Sequence, residues 1–204
     1  MSGPVGVPRT FTVLVVCTGN ICRSALAERL GRVYLRERLG DSSSAIRLVS
    51  AGTRAVIGSS MHPDTELVLA GFGARPENFR ARQLHEQDAA AADLTLAMTR
   101  RHRQVVLEVV PRALARTFTL REAADVLRSV ESDPPVEGSD FAERARALVR
   151  EMGALRGRRE SWRDDDIRDP IGQPLDVHQE VGDAVAEALL PVLERFADLV
   201  PQQR

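Results

Sequence analysis

In the stretch VCTGNICRS, residues 16–24, Cys17 is followed after five intervening residues by Arg23 and then by Ser24. A cysteine and an arginine at that spacing, across a glycine-containing turn, suit attack on a phosphoryl group. Loop amides that curl inward can hold three anionic oxygens, and a helix starting where the loop ends adds unsatisfied N–H groups and the positive end of its dipole. Arg23 supplies a planar two-donor fork to the same group. Cys17 then lies beneath the phosphorus as a nucleophile, in cationic surroundings that favour the thiolate, and Ser24 donates a hydrogen bond to its sulfur. The plainer reading is a small buried cysteine at a strand end; the coincidence of Arg, Ser, Gly and a helix start weighs against it.

Thiolate attack on a phosphoester also requires an acid for the leaving oxygen, best supplied from a separate loop. The stretch DDDIRDPIG, residues 164–172, offers four aspartates. Asp169 is favoured because Pro170 biases it to an extended backbone and stiffens the loop. Asp164, Asp165 and Asp166 read as a solvated acidic run. By residue type alone, Asp169 fits a turn as well as it fits an acid.

These groups need a frame. FTVLVV, from Phe11 to Val16, is a continuous apolar, β-branched run that suits a strand buried on both faces. In SALAERLGRVYLRERLG, the residues Leu26, Leu30, Val33 and Tyr34 share a helical face and Gly40 marks the stop. The pattern repeats: IRLVS as a strand, PDTELVLAGFG as a helix with Pro63 at its start, DLTLAM as a strand, RRHRQVVLEVV as a helix, and RTFTL as a strand before REAADVLRSV. The alternation predicts an α/β fold of three layers, a parallel sheet flanked by helices.

A chain of 204 residues suits one domain, spanning 1–204, with an extra element rather than two full domains. That element is residues 121–163, read as a helical insertion: turn-rich ESDPPVEGSD is followed by the charged helix FAERARALVREMGALRGRRE. An Arg-rich solvated cover over the fold is its plain reading, and binding of a partner is the alternative. RDDDIRDPIGQPLDVHQE reads as a polar loop, and VGDAVAEALLPVLERFADLV as an amphipathic helix kinked or split at Pro191.

A net charge of −1 gives no overall cationic field for a nucleic-acid backbone. No apolar run is long enough to cross a bilayer, and the first residues lack a signal-peptide pattern. Two cysteines alone do not make a disulfide framework. A cytoplasmic protein with no nucleic-acid or membrane partner is therefore expected. His62, His85, His102 and His178 lack zinc-ligand spacing and read as surface or packing residues, so neither a metal nor another cofactor is expected. There is no G-x4-GK[ST] nucleotide loop, and GFGARP lacks the third glycine of a dinucleotide loop.

With VCTGNICRS at the amino end, DPIG late in the chain, and VSAGT, ARQL and DLTLAMT in order between them, the sequence resembles the low-molecular-weight protein tyrosine phosphatase family from Thr12 to about Ala197. The resemblance implies a four-stranded parallel sheet and a metal-free two-step mechanism acting on a phosphorylated protein, with inorganic phosphate as product. In that mechanism Cys17 forms a cysteinyl-phosphate, Arg23 binds the phosphate and stabilises the transition state, and Asp169 protonates the leaving group and then activates water. The loop from Thr18 through Gly19, Asn20, Ile21 and Cys22 to Arg23 forms the cradle, with Ser24 beside it. Asn20 shapes the loop, supported by Ser50, and Asp93 matches a position near that network.

Departures bear on the substrate. Ala25 stands where the family often has Pro; Ile171 and Gly172 stand where many members have an aromatic residue after Asp-Pro; and Phe79 replaces a frequent His. VSAGTRAVIG lacks the aromatic that lines one wall of many tyrosine-specific sites, so a phenyl ring loses stacking partners. LTLAMTRRHRQVV and FTLRE also resemble the bacterial protein-arginine phosphatase branch, which carries Thr where this loop has Ile21. The apolar Ile21 favours phosphotyrosine, with phosphoarginine as the alternative. Arsenate reduction would need an external thiol because no cysteine lies outside the loop, and a noncatalytic phosphate-binding module would need neither nucleophile nor acid. Cys22 matches the second loop cysteine of many members and is a candidate redox partner for Cys17, or a small packing residue.

Overall fold

The computed structural model describes residues 10–130, 138, 140–159 and 165–201. Four strands, β1 (Phe11–Cys17), β2 (Ile46–Gly52), β3 (Leu94–Ala97) and β4 (Thr117–Thr119), form one parallel sheet in the order β2-β1-β3-β4. The helices are α1 (Arg23–Leu39), α2 (Pro63–Gly71), α3 (Glu86–Ala91), α4 (Arg100–Val109), α5 (Leu120–Ser129), α6 (Phe141–Leu155) and α7 (Leu175–Ala197). The predicted α/β fold, a four-stranded parallel sheet flanked by helices, is the fold observed.

β1 is central, and its apolar run is sorted by the period of two that a strand imposes. Val13 and Val15 enter a large core with residues of α1 and α7, while Leu14 and Val16 enter a smaller one with Ala89 of α3 and Val106 of α4. β1 thus has both faces covered, as its unbroken β-branched pattern requires. The chain leaves it at Cys17, at the carboxyl edge of the sheet, directly into α1.

The region 121–163 carries most of α5 and all of α6. α6 is more than a solvated cover: Phe141, Ala145, Leu148 and Met152 are buried on one face, and Phe141 meets Phe11 edge-on at 6.3 Å between centroids. Arg156, just past α6, pairs with the buried Glu122 of α5 at 2.9 Å and lies 4.1 Å over the Phe118 ring. Glu122 also closes a capping box with Thr119, accepting from the Thr119 N–H at 3.0 Å.

Two elements depart from the sequence reading. α3 was not anticipated, because EQDAAA has no apolar period; the side chain of Asp88 caps it, accepting from the His85 N–H at 3.0 Å. α7 begins at Leu175, inside the stretch read as a polar loop, with Pro174 at its N-cap, and runs unbroken through Pro191 to Ala197. Burial of Val177, Val181, Val185, Leu189 and Leu193 along one face of α7 outweighs the hydrogen bond Pro191 removes.

Candidate active site

The loop between β1 and α1 is built around Asn20. Its φ of 56° lies in the left-handed region, which Asn enters more readily than most residues, and its fully buried side chain holds three neighbours. Nδ2 donates to Ser24 Oγ at 2.9 Å and to Ser50 Oγ at 2.8 Å, and Oδ1 accepts from the Arg82 N–H at 2.9 Å. Ser50, on β2, donates in turn to Glu28 Oε2 at 2.5 Å, and Arg32 holds Glu28 at 2.8 Å. One chain of bonds therefore runs from the loop through β2 to the buried face of α1.

A second strut comes from the segment after β2. Thr53, Arg54 and Val56 donate backbone N–H groups to the carbonyls of Cys17, Thr18 and Gly19 at 2.9, 3.0 and 3.0 Å. With the carbonyls engaged outward, the loop's amides are free to turn inward. Gly52 permits this approach, since a Cβ there would lie 2.4 Å from Thr18 O.

At the centre, Cys17 Sγ and Ser24 Oγ lie 2.9 Å apart, and the Asn20 N–H donates to the sulfur at 3.3 Å. α1 starts at Arg23 with no acidic residue in its first turn and no side-chain cap, so its positive end is unneutralised. Arg23, 4% exposed, donates from Nη1 to Ile167 O at 3.0 Å and from Nη2 to Asp169 Oδ2. That ion pair brings DPIG to the phosphate loop across 146 positions of sequence. Asp169 is about half exposed, its Oδ1 accepts from the Ile171 N–H at 3.2 Å, and the buried Pro170 backs it.

The other candidate positions divide. Thr18, Gly19 and Ile21 line the loop half-buried, with the Ile21 carbonyl accepting from the His62 N–H at 2.9 Å. Cys22 is buried at the N-cap of α1. Burial pushes its thiol up to about 11, although a hydrogen bond with Thr65 works the other way. Both cysteines are free thiols.

Asp93 requires correction. It accepts from the Thr12 N–H at 2.9 Å and pairs with Arg146 at 2.7 Å, which places it at the amino edge of the sheet, a strand's length from the Asn20 network. Of the acidic neighbours of Asp169, Asp166 is exposed as expected of a solvated run, and Asp165 is not. Asp165 is 4% exposed and forms a fork with Arg159 at 2.6 and 3.0 Å, while Asp166 accepts from the Arg100 N–H at 2.8 Å. Asp164 lies outside the described residues. Phe79 is buried with the Arg29 guanidinium 5.3 Å from its centroid.

His102 was missed as part of the site. Its Nε2 lies 2.8 Å from Thr18 Oγ1 and its Nδ1 2.9 Å from the hydroxyl of Thr99, which caps α4. Burial first, and then the Arg23 cation, push its pKa down to about 4, so the ring is neutral at pH 7 and offers one donor and one acceptor. The N-cap Thr three residues earlier was the available signal. For Glu28 the signal was an acid four residues after Ser24, on the face of α1 that enters the core.

A thiol held between a hydroxyl and an amide, beneath an uncapped helix start that carries a buried arginine, is a receptor for a tetrahedral oxyanion on an open α/β sheet. Comparison with known proteins supplies the family. The chain belongs to the family described as "Low molecular weight phosphotyrosine protein phosphatase", whose sequence model matches residues 12–156. Asp169 lies beyond that match. The chain is 39% identical over 149 residues to low molecular weight protein-tyrosine phosphatase A of Mycobacterium tuberculosis, covering 70% of this chain and 84% of that one. It is 27% identical over 188 residues to the protein-arginine-phosphatase of Geobacillus stearothermophilus, covering 92% and 95%. Among solved structures, the YwlE arginine phosphatase from Geobacillus stearothermophilus superposes with a TM-score of 0.61 at 26% identity, covering 92% of this chain and 91% of that one. A low molecular weight protein tyrosine phosphatase from T. tengcongensis gives 0.65 at 25% identity, covering 91% and 99%. Among the described residues, no helix is long and apolar enough to cross a membrane.

Proposed function

We propose that this chain is a cysteine-dependent protein phosphatase that hydrolyses phosphotyrosine through a cysteinyl-phosphate. The observation that carries the reading is the Arg23–Asp169 pair beside Cys17, which groups a nucleophile, an anion fork and an acid.

In the first step the Cys17 thiolate attacks phosphorus, the P–O bond to the leaving group breaks, and Asp169 gives that oxygen its proton. Loop amides from Thr18 to Arg23 and the Arg23 guanidinium hold the three equatorial oxygens as charge shifts between them. Ser24 donates to the sulfur when the thiolate is the leaving group. In the second step Asp169, now a carboxylate, takes a proton from water; the oxygen attacks phosphorus, the S–P bond breaks, and inorganic phosphate leaves.

Phosphotyrosine is favoured by apolar groups around the loop. Ile21 lies in it, Val56 is 48% exposed beside Gly19, and Ile171, 48% exposed, follows Asp169 and Pro170. They offer a phenyl ring apolar walls where aromatic partners are lacking. Phosphoarginine is the second reading, favoured by the likeness to a protein-arginine-phosphatase over 92% of the chain. The test is release of phosphate from matched phosphotyrosine, phosphoarginine and phosphoserine peptides by the parent and Ile21→Thr proteins. Preference of the parent for phosphotyrosine, shifted toward phosphoarginine by Ile21→Thr, is expected. Preference of the parent for phosphoarginine would reverse the substrate assignment.

A further inference from the structure

Around Cys22, three potential metal ligands converge from three elements. Cys22 is the N-cap of α1, His62 is the N-cap of α2, and His178 lies in the first turn of α7. The Cys22 sulfur and one ring nitrogen of each histidine all lie within 4.8 Å of one another. The imidazoles stack with centroids 4.8 Å apart and planes 19° apart. Gly182 allows the approach of α7 to α2, since a Cβ there would lie 2.4 Å from Val68 Cγ1.

A second observation points to a ligand. His178 is 2% exposed, and no hydrogen bond of ordinary length reaches its Nε2 or Nδ1 of His62, although the Pro170 backbone acts on the His178 ring. Buried ring nitrogens are costly when left unmatched. The other nitrogen of His178 is held at 3.0 Å by Thr65 Oγ1, the kind of outer contact that fixes the orientation of a ligating imidazole. Asp64 Oδ2 lies 3.8 Å from His62 Nδ1 and 3.9 Å from His178 Nε2, too far to satisfy either.

We propose that Cys22, His62 and His178 form a zinc-binding site, with the nearby Asp64 carboxylate in reach of the fourth position. One thiolate and two imidazoles make a borderline-soft donor set that suits Zn²⁺ over Mg²⁺ or Ca²⁺. Tetrahedral bonding at about 2.3 Å to sulfur and 2.1 Å to nitrogen sets neighbouring ligand atoms about 3.6 Å apart, so closure on the ion takes side-chain shifts of about 1 Å. Binding exchanges the Cys22 thiol proton for the ion and releases it to solvent. The site joins the residue before Arg23 to the helix that follows the Asp169 loop, and a bound ion withholds Cys22 from any disulfide with Cys17.

Co²⁺ titration of the metal-free full-length protein, with inorganic phosphate present to occupy the Cys17 loop, reads the site directly. One equivalent is expected to give visible tetrahedral d–d bands and a near-ultraviolet thiolate-to-cobalt band, displaced by Zn²⁺. The bands should persist in Cys17→Ser, disappear in Cys22→Ser, and weaken at least tenfold in apparent affinity in His62→Gln and His178→Gln. The His62 variant, altered at a half-buried helix end, serves if a core variant fails to fold. Absence of the bands from the parent, their persistence in Cys22→Ser, or their loss in Cys17→Ser would overturn the proposal; turnover by the metal-free protein tests the phosphatase reading separately.

Discussion

His102 and Thr18 stand 84 residues apart in sequence and meet through a 2.8 Å hydrogen bond between Nε2 and Oγ1. The imidazole thereby connects the capped start of α4 to the first residue after Cys17. It does so as a neutral ring, because burial and the nearby Arg23 cation hold its pKa at about 4. Protonation would remove the acceptor on the ring and place a second cation beside the phosphate loop.

A folded-state pKa of about 4 for His102 against about 6.5 in the unfolded chain means that the unfolded state binds more protons between these values. Stability is then fully present above about pH 6.5 and lost as pH falls toward 4, by up to about 3 kcal/mol from this residue. Burial also lowers the pKa of His178, adding a loss of the same sign. Urea denaturation at pH 7 and pH 5 is expected to show a smaller pH-dependent loss in His102→Gln than in the parent. An equal loss in both proteins would contradict the assignment.

Replacing Asp169 tests the acid. Asp169→Asn retains shape and the approach to Arg23 but holds no transferable acidic proton. A fall of about 10²- to 10⁴-fold in kcat/KM, which covers the steps up to loss of the leaving group and leaves out hydrolysis of the cysteinyl-phosphate, is expected with a phenyl phosphate. The loss should shrink with a nitrophenyl phosphate, whose leaving oxygen needs less protonation. Equal losses for the two leaving groups would assign Asp169 a positioning role instead.

Ser50 tests the support of the loop. It accepts from Asn20 at 2.8 Å and donates to Glu28 at 2.5 Å, so Ser50→Ala leaves a buried donor and a buried carboxylate each short of a partner. A stability loss of about 1–3 kcal/mol should accompany a fall in kcat. Unfolding curves and turnover measured on the same preparation check both.

Arg159 tests the anchoring of the Asp169 loop. Its guanidinium is 6% exposed and holds both oxygens of the buried Asp165 as well as Asp125 of α5. Arg159→Met leaves an uncompensated buried carboxylate and should cost about 3–5 kcal/mol. Adding Asp165→Leu removes that charge and should restore part of the loss. Denaturation midpoints of the parent, single and double variants give the comparison.

Legibility followed the range of the interactions. The sheet and most helices were readable because β1 is an unbroken apolar run and α1, α4 and α5 carry their own period and stops. The phosphate loop was readable because Cys17, Asn20, Arg23 and Ser24 lie within one turn of chain, where spacing fixes distance. Asp93 was set near the Asn20 network by the resemblance alone, whereas a residue at the start of a parallel strand lies at the amino edge, opposite the loop that follows Cys17.

By itself the sequence determined the local units: a strand that must be buried, a glycine-containing turn after Cys17, and a helix over the stretch that opens at Ser24. Only the tertiary structure decided which distant groups join them. The parallel sheet gathers strand ends at its carboxyl edge, so Asp169, His102 and Ser50 reach Arg23, Thr18 and Asn20 of the loop from three different elements, and His62 and His178 arrive at Cys22 from α2 and α7. Backbone geometry fixes neighbours within a few residues; burial of apolar faces sets the docking of whole elements, and the polar contacts between them follow from that docking.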